Sequence, residues 1–266
     1  MDQSKILKIG VGEYDTGWMN KESSLKEADT IINSYANLGA DLVILPEMCA
    51  TGFVMDVDVS EHMGEYICES LAGSARRNNV FVLAGVALRR NEKCYNSAIL
   101  IDPNGVICAG YDKNNLFEFA GEDHLFSPGK GHVRYKINGI WISFAICFDL
   151  RYPELFRTIS PSIDACIVIA NWPKSRVGHW SALMEARAIE NQAYFLGVNR
   201  VGYGGGLEYE SSSIAYSPGG GLIKGNIVVV SRDLVTEERL RFPWLNDLRD
   251  SVESEHIPAF SDGWTS

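Results

Sequence analysis

The chain has 266 residues, of which 46% are hydrophobic and 22% are charged, proportions typical of an ordinary globular protein. A formal net charge of -10 and a pI near 5.0 argue against nucleic acid or an anionic membrane as a partner, because both attract basic surfaces. No apolar stretch approaches the roughly 20 residues that cross a bilayer, and no secretory signal pattern precedes the first predicted strand. We therefore expect a cytoplasmic protein.

Helices and strands alternate in the first part of the chain, and hairpins follow. Hydrophobic periodicity and turn residues predict a strand over Lys5–Val11, a helix from the capping box Ser24–Glu27 to about Gly39, a strand over Asp41–Leu45, a helix over Glu61–Asn78 and a strand over Val80–Gly85. Two hairpins are predicted next, pairing Asn96–Ile101 with Val106–Tyr111 and Val133–Ile137 with Ile140–Ile146.

The last part of the chain returns to alternation. It predicts strands over Ala165–Ala170, Phe195–Asn199, Ser213–Tyr216 and Ile227–Ser231, and a helix over His179–Asn191. Several of the strands are continuous apolar runs, which is typical of sheets covered on both faces. The pattern therefore predicts an α/β fold in which two mixed sheets pack face to face with helices outside. A single doubly wound sheet is the alternative.

The chain contains no linker-like tract and no internal repeat. We therefore expect a single domain over residues 1–266, in which roughly residues 240–266 form a C-terminal extension. The stretch Glu255–Phe260 in this extension has apolar residues without a regular period, and we interpret it as a tail that packs on a partner subunit.

Three predicted strands end on residues that together suit acyl transfer. Glu47 follows the strand over Asp41–Leu45, Lys113 follows the hairpin strand that ends at Tyr111, and Cys147 follows Ile140–Ile146. Each residue alone has a plainer interpretation: a core thiol, a loop carboxylate and a hairpin-edge lysine. Their shared position is informative because active sites of α/β folds collect at strand ends.

The chemistry of these three groups fits hydrolysis of an amide or a nitrile through a thioester. A free thiol has a pKa of about 8.5, so a neighbouring base must take its proton during attack. Glu47 could be that base and could later protonate the departing ammonia. Lys113 and the backbone N–H of Phe148 would stabilise the oxyanion. No metal or cofactor is required, and the five histidines show no metal-ligand spacing.

Three segments resemble the signatures of the nitrilase superfamily of carbon–nitrogen hydrolases. They are Leu45-Pro46-Glu47-Met48, the segment Tyr111–Phe117 and the segment Ile146–Glu154. The resemblance implies a four-layer αββα sandwich, assembly as a homodimer or higher homo-oligomer, and catalytic roles for Glu47, Lys113 and Cys147. It also implies a second glutamate beyond the lysine. By spacing this is Glu122, with Glu118 and Asp123 as competitors.

Within that superfamily the chain is most similar to the ω-amidases, which hydrolyse the terminal amide of 2-oxoglutaramate. The resemblance rests on the segments Pro46–Phe53, Cys147–Pro153, Ala170–Arg176, Glu185–Gln192 and Gly197–Gly202. Phe-Asp after the cysteine, where nitrilases tend to have Trp-Glu, favours an amide over a nitrile. The alternatives are N-carbamoyl amino acids, other aliphatic amides or nitriles, and a non-catalytic relative that only binds a ligand.

A small keto-acid amide carries a carboxylate at one end, which an arginine can bind with two hydrogen bonds. Arg176 is the candidate, although a surface arginine in a loop is an equal interpretation. Phe117, Phe148 and Trp172 would form the walls of the substrate pocket, although aromatic residues at strand ends are more often core residues.

Overall fold

Two six-stranded mixed sheets face each other in the computed structural model, which describes residues 5–248, 257–262 and 264. The first sheet contains β1 (Ile6–Val11), β2 (Leu42–Ile44), β3 (Phe81–Arg90), β4 (Lys93–Ile101), β5 (Ile107–Asp112) and β14 (Ile227–Ser231), in the order β14-β1-β2-β3-β4-β5. Strands β1, β2 and β3 are parallel, and the outer pairs are antiparallel.

The second sheet repeats this plan. It contains β6 (Tyr135–Ile137), β7 (Ile140–Ile146), β8 (Ala165–Ile169), β9 (Tyr194–Val198), β12 (Ile214–Tyr216) and β13 (Leu222–Ile223), in the order β13-β12-β9-β8-β7-β6. Strands β7, β8 and β9 are parallel, with antiparallel pairs on both sides. A separate hairpin pairs β10 (Gly202–Gly204) with β11 (Leu207–Tyr209).

The helices are α1 (Lys21–Asn37), α2 (Tyr66–Asn78), α3 (Glu122–Leu125), α4 (Pro153–Ile159), α5 (Val177–Asn191) and α6 (Arg232–Arg241). Helices α1 and α2 cover the outer face of the first sheet, and α4 and α5 cover that of the second. Helices α1 and α2 share a core with the first sheet, α4 and α5 share one with the second, and a third core lies between the sheets. This arrangement confirms the predicted four-layer αββα sandwich and excludes the single doubly wound sheet. No described helix is long and apolar enough to span a membrane.

The two early helices begin elsewhere than predicted. Helix α1 starts one turn before the expected capping box, because the side chain of Asn20 accepts the Ser23 N–H at 3.2 Å. Helix α2 starts at Tyr66 rather than Glu61. Glu61 instead forms a β-bridge with Leu88, and its carboxylate accepts the backbone N–H of Ile67 at 2.7 Å. Both predictions failed because capping depends on which polar side chain the tertiary structure places at the helix end.

Strand β3 runs five residues beyond its predicted end at Gly85. It turns into β4 through Asn91 and Glu92, which both have positive φ, as a two-residue hairpin requires. Gly85 is therefore not a strand terminator. A β-carbon there would lie 2.5 Å from Cα of Glu47 and 2.6 Å from the backbone nitrogen of Met48, so the glycine permits a close approach of two backbones.

The described residues of the C-terminal extension pack against their own chain. Gly110 donates its N–H to Ala259 O at 3.0 Å and accepts from Ser261 N at 2.9 Å. The ring of Trp264 fills the space over Gly110. Residues 257–260 thus have contacts within their own chain, and packing of this tail on a partner subunit stays a prediction, whereas 255 and 256 lie outside the described residues.

The parallel strands bring the predicted catalytic residues to one edge. Strands β2, β3 and β5 point in one direction, because β4 is antiparallel to both β3 and β5. Glu47 and Lys113 thus follow strand ends at the same edge of the first sheet, and Cys147 follows β7 of the second sheet. Stacking the two sheets brings Lys113 and Cys147 to one cavity, and Glu47 is buried against Lys113 beneath it.

We expect Gly85→Ala to lower the free energy of unfolding by about 1–3 kcal/mol, because the methyl group would push against the backbone of Glu47. Urea unfolding would measure the change. Gly178→Ala is the matched control: it lies in α5 with nothing within 4 Å of the added methyl, so stability should stay equal or rise by up to about 1 kcal/mol. An unchanged stability of Gly85→Ala would contradict the close approach.

Candidate active site

Cys147 stands on a sharp turn between β7 and a 3-10 helix over Cys147–Arg151. Its φ of 46° lies in the left-handed region, which non-glycine residues rarely adopt. Strain of this kind persists only where the surroundings fix it, and it concentrates at functional positions. The turn leaves the thiol half-buried on the wall of a cavity, whereas Ile146 before it stays in the core.

Glu47 is fully buried, and both of its carboxylate oxygens are engaged. Oε1 accepts from Nζ of Lys113 at 3.0 Å and from Nδ2 of Asn96 at 2.7 Å. Oε2 accepts the backbone N–H of Asn171 at 2.8 Å. These contacts join the end of β2 to β4, β5 and β8, so the carboxylate is held in one orientation.

Lys113 is also fully buried, between two carboxylates. Besides Glu47, it donates to Oε2 of Glu122 at 2.9 Å. Glu122 has no exposed surface and accepts the Phe117 N–H at 2.7 Å and Nδ2 of Asn96 at 2.8 Å. Of the three acidic residues that the sequence left open, Glu122 reaches the lysine, whereas Glu118 and Asp123 are exposed.

The surroundings shift the ionisation of the ammonium and of the thiol. Burial alone would lower the pKa of Lys113, but the carboxylates of Glu122 and Glu47 outweigh it, and the net pKa is raised. Burial, followed by the charge of Glu47, raises the pKa of Cys147 well above its ordinary value, although Lys113 acts in the opposite direction. The resting site therefore holds a charged lysine beside a neutral thiol, which needs a base to become a nucleophile.

A cavity of about 400 Å³ opens over this cluster. Lys113 and Cys147 line it together with all four residues predicted to bind substrate: Phe117, Phe148, Trp172 and Arg176. The rings of Phe117 and Phe148 lie 5.0 Å apart, and the Arg176 guanidinium lies 5.6 Å from the Phe117 ring. Nε1 of Trp172 donates to the carbonyl oxygen of Arg176 at 2.8 Å. The cavity is thus aromatic on its sides, with cationic groups at three positions: Lys113, Arg151 and Arg176.

Sequence reasoning missed several polar residues of the site. Asn96 bridges Glu47 and Glu122, and Asn171 binds Glu47 through both backbone and side chain. Arg151 and Tyr209 also line the cavity. A polar residue in an apolar strand was the available signal for Asn96, since a buried amide needs hydrogen-bond partners. Nothing local distinguished Tyr209. Among the described residues, no three His, Cys, Asp or Glu side chains are placed to hold a metal ion.

We predict that Cys147 carries no thiolate at neutral pH. Because its pKa is raised above 9.0, thiolate absorbance in the ultraviolet should appear only at more alkaline pH. The measurement is the difference spectrum between the native protein and Cys147→Ala across a pH titration, in which the other five cysteines cancel. A thiolate step below pH 8, as in a preformed ion pair with Lys113, would contradict the prediction.

The sequence matches the family model described as carbon–nitrogen hydrolase over residues 8–235. Omega-amidase YafV of Escherichia coli (strain K12) is 34% identical over 218 residues, which cover 82% of this chain and 84% of that protein. The 2-oxoglutaramate amidase of Bacillus subtilis (strain 168) is 29% identical over 257 residues, which cover 94% of this chain and 95% of that protein.

Solved structures show the same architecture. A CN-hydrolase superfamily protein from Xanthomonas campestris, with an arsenic adduct in its active site, matches with a TM-score of 0.85 and 28% identity, covering 93% of this chain and 99% of that chain. An amidase from Nesterenkonia sp. matches with a TM-score of 0.75 over 93% of this chain and 98% of its own, at 22% identity, which shows the fold alone. From the family match and the relatives, this chain belongs to the carbon–nitrogen hydrolases of the nitrilase superfamily and is an enzyme that hydrolyses the C–N bond of an amide.

Proposed function

We propose that this enzyme hydrolyses the ω-amide of a dicarboxylic keto acid, such as 2-oxoglutaramate, through a thioester on Cys147. The observation that carries the proposal is the arrangement of three groups along one cavity: the Cys147 thiol, the Lys113 ammonium and the Arg176 guanidinium. They supply a nucleophile, a charge for the oxyanion and an anchor for a carboxylate. The names of the relatives from Escherichia coli and Bacillus subtilis support the same substrate class.

In the first half of the reaction the thiol becomes acylated. Glu47 takes the proton of Cys147 as the sulfur bonds to the amide carbon, and the carbonyl electron pair moves to oxygen. Lys113 and the backbone N–H of Phe148 stabilise that oxyanion. When the carbonyl re-forms, the C–N bond breaks. Glu47 passes its proton to the nitrogen, which leaves as ammonia.

In the second half a water molecule replaces ammonia. Glu47 takes one of its protons while the water oxygen bonds to the thioester carbon, and the resulting oxyanion again lies near Lys113. Collapse of this intermediate breaks the C–S bond, the sulfur recovers the proton from Glu47, and the carboxylic acid leaves. Glu122 does not exchange a proton in this scheme. Its contact with Lys113 holds the ammonium in place.

The cavity limits the acyl group to a small one. Its volume of about 400 Å³ lies at the lower end of the range for small-molecule sites. Aromatic walls from Phe117, Phe148 and Trp172 would pack against a short carbon chain, and Arg176 would bind its far carboxylate with charge-assisted hydrogen bonds. The homodimer, the cytoplasmic location and the single domain over residues 1–266 remain predictions from the sequence.

We expect the native enzyme to release ammonia from 2-oxoglutaramate and Cys147→Ala to lose at least about 10⁴-fold in kcat, because removing the nucleophile of a covalent mechanism abolishes its acylation step. The measurement is ammonia release from a panel of ω-amides, N-carbamoyl amino acids, aliphatic amides and nitriles. Preference for another member of the panel would overturn the substrate assignment. Equal background rates for the native and variant proteins would overturn the thioester mechanism.

We expect Arg176→Gln to raise KM for 2-oxoglutaramate about 10- to 100-fold, because a hydrogen bond between charged groups contributes about 1.5–3 kcal/mol. Turnover of an aliphatic amide without a carboxylate should stay unchanged. Lys174→Gln is the matched control. It also removes a positive charge from the segment around Arg176, but the ammonium of Lys174 pairs with Glu208 at the surface. An equal loss of activity on both substrates would contradict a carboxylate-binding role for Arg176.

A further inference from the structure

Asp149 follows the nucleophile by two residues, and its side chain has no exposed surface. Its two carboxylate oxygens accept four hydrogen bonds. Oδ1 accepts from the backbone N–H of Asn115 at 2.8 Å and from the Nδ2 of the same residue at 2.9 Å. Oδ2 accepts from the hydroxyl of Tyr111 at 2.8 Å and from the backbone N–H of Ile146 at 3.0 Å.

The donors to Asp149 come from both sheets. Ile146 is the last residue of β7 in the second sheet, directly before Cys147. Tyr111 lies in β5 of the first sheet, and Asn115 lies in the loop that follows, so the two residues flank Lys113 in sequence. One carboxylate therefore links the turn that carries the thiol to the segment that carries the ammonium.

We propose that Asp149 is a positioning residue, which fixes the turn of Cys147 in register with the segment of Lys113. The inference rests on the roles given to those two residues in the proposed function. Cys147 and Lys113 follow strands of different sheets, so packing between the sheets and cross-links of this kind set their separation. Because misplacement of a reacting group by about 1 Å can cost a factor of 10² in rate, a loose link would lower kcat.

A charged carboxylate at position 149 can accept these four hydrogen bonds better than a neutral side chain could. Two oxygens that each accept two hydrogen bonds are the acceptor set of a carboxylate, and asparagine offers only one such oxygen. Burial raises the pKa of Asp149 to about 6, although its hydrogen bonds from Ile146 and Asn115 and the charge of Lys113 act in the opposite direction. A neutral residue would avoid this cost of burial, and the four hydrogen bonds that Asp149 accepts are what offsets it.

A purely structural role of Asp149 predicts a loss of stability without a specific loss of kcat. Asp164 provides the comparison. Asp164 is also a buried aspartate, and it lies just before β8, at the opposite end of the second sheet from Cys147. Its Oδ2 accepts the backbone N–H of Trp141 at 2.8 Å. Asp149→Asn and Asp164→Asn therefore make the same chemical change at opposite ends of the second sheet. Asp149 lies next to the site, and Asp164 lies far from it.

The experiment measures kcat, KM and the free energy of unfolding for the native enzyme and both variants. We expect Asp149→Asn to lower kcat about 100-fold with KM unchanged, because binding through Arg176 does not use this link. Asp164→Asn should lose stability without losing kcat. If Asp149→Asn loses no more kcat than Asp164→Asn does, Asp149 is merely structural and the inference is overturned.

Two further measurements keep the test decisive. If Asp149→Asn does not fold, Asn115→Ala removes a single donor to Oδ1 and should lower kcat about 10-fold, whereas an unchanged kcat would overturn the inference. If the native enzyme hydrolyses none of the amides, the proposed function fails by itself. The rate of Cys147 alkylation by iodoacetamide, followed by peptide mass spectrometry, then decides: a rate that is equal in Asp149→Asn and native protein would overturn the positioning role.

Discussion

The Lys113 ammonium is buried between the carboxylates of Glu47 and Glu122, and the rest of the site is arranged around this contact. A buried charge is costly unless partners and hydrogen bonds compensate it. Here both carboxylates contact the lysine, and Asn96 donates to each of them. Because each residue comes from a different segment, the requirement to neutralise one ammonium fixes the relative positions of several loops.

Cys147, the proposed nucleophile, approaches this cluster from the second sheet. Glu47 and Lys113 follow strands of the first sheet, whereas Cys147 follows β7 of the second. The apolar core between the sheets therefore sets the position of Cys147 relative to Glu47 and Lys113. Asp149 adds a polar link across the same boundary, since it accepts hydrogen bonds from Ile146 in one sheet and from Tyr111 in the other.

Most strands, the later helix α5 and the three strand-end residues could be predicted from the sequence, because apolar periodicity and turn residues act over a few positions. The errors have tertiary causes. Gly85 looked like a strand end, but its missing side chain admits the backbone of Glu47. The start of α2 depended on Glu61, which the fold uses in a bridge to Leu88 instead. Asn171 carried no local signal, because its partner Glu47 lies 124 positions away.

The sequence by itself determined the types of the elements, the strand ends that carry Glu47, Lys113 and Cys147, and the resemblance to the carbon–nitrogen hydrolases. Only the tertiary structure decided that Glu122, among three neighbouring acids, reaches the lysine, and that a cavity with Arg176 on its wall lies over the thiol. Local patterns arise from interactions between residues close in the chain. Spacing along the chain favoured Glu122, but only the folded loop after β5 shows that Glu122 is buried on the lysine while Glu118 and Asp123 are exposed.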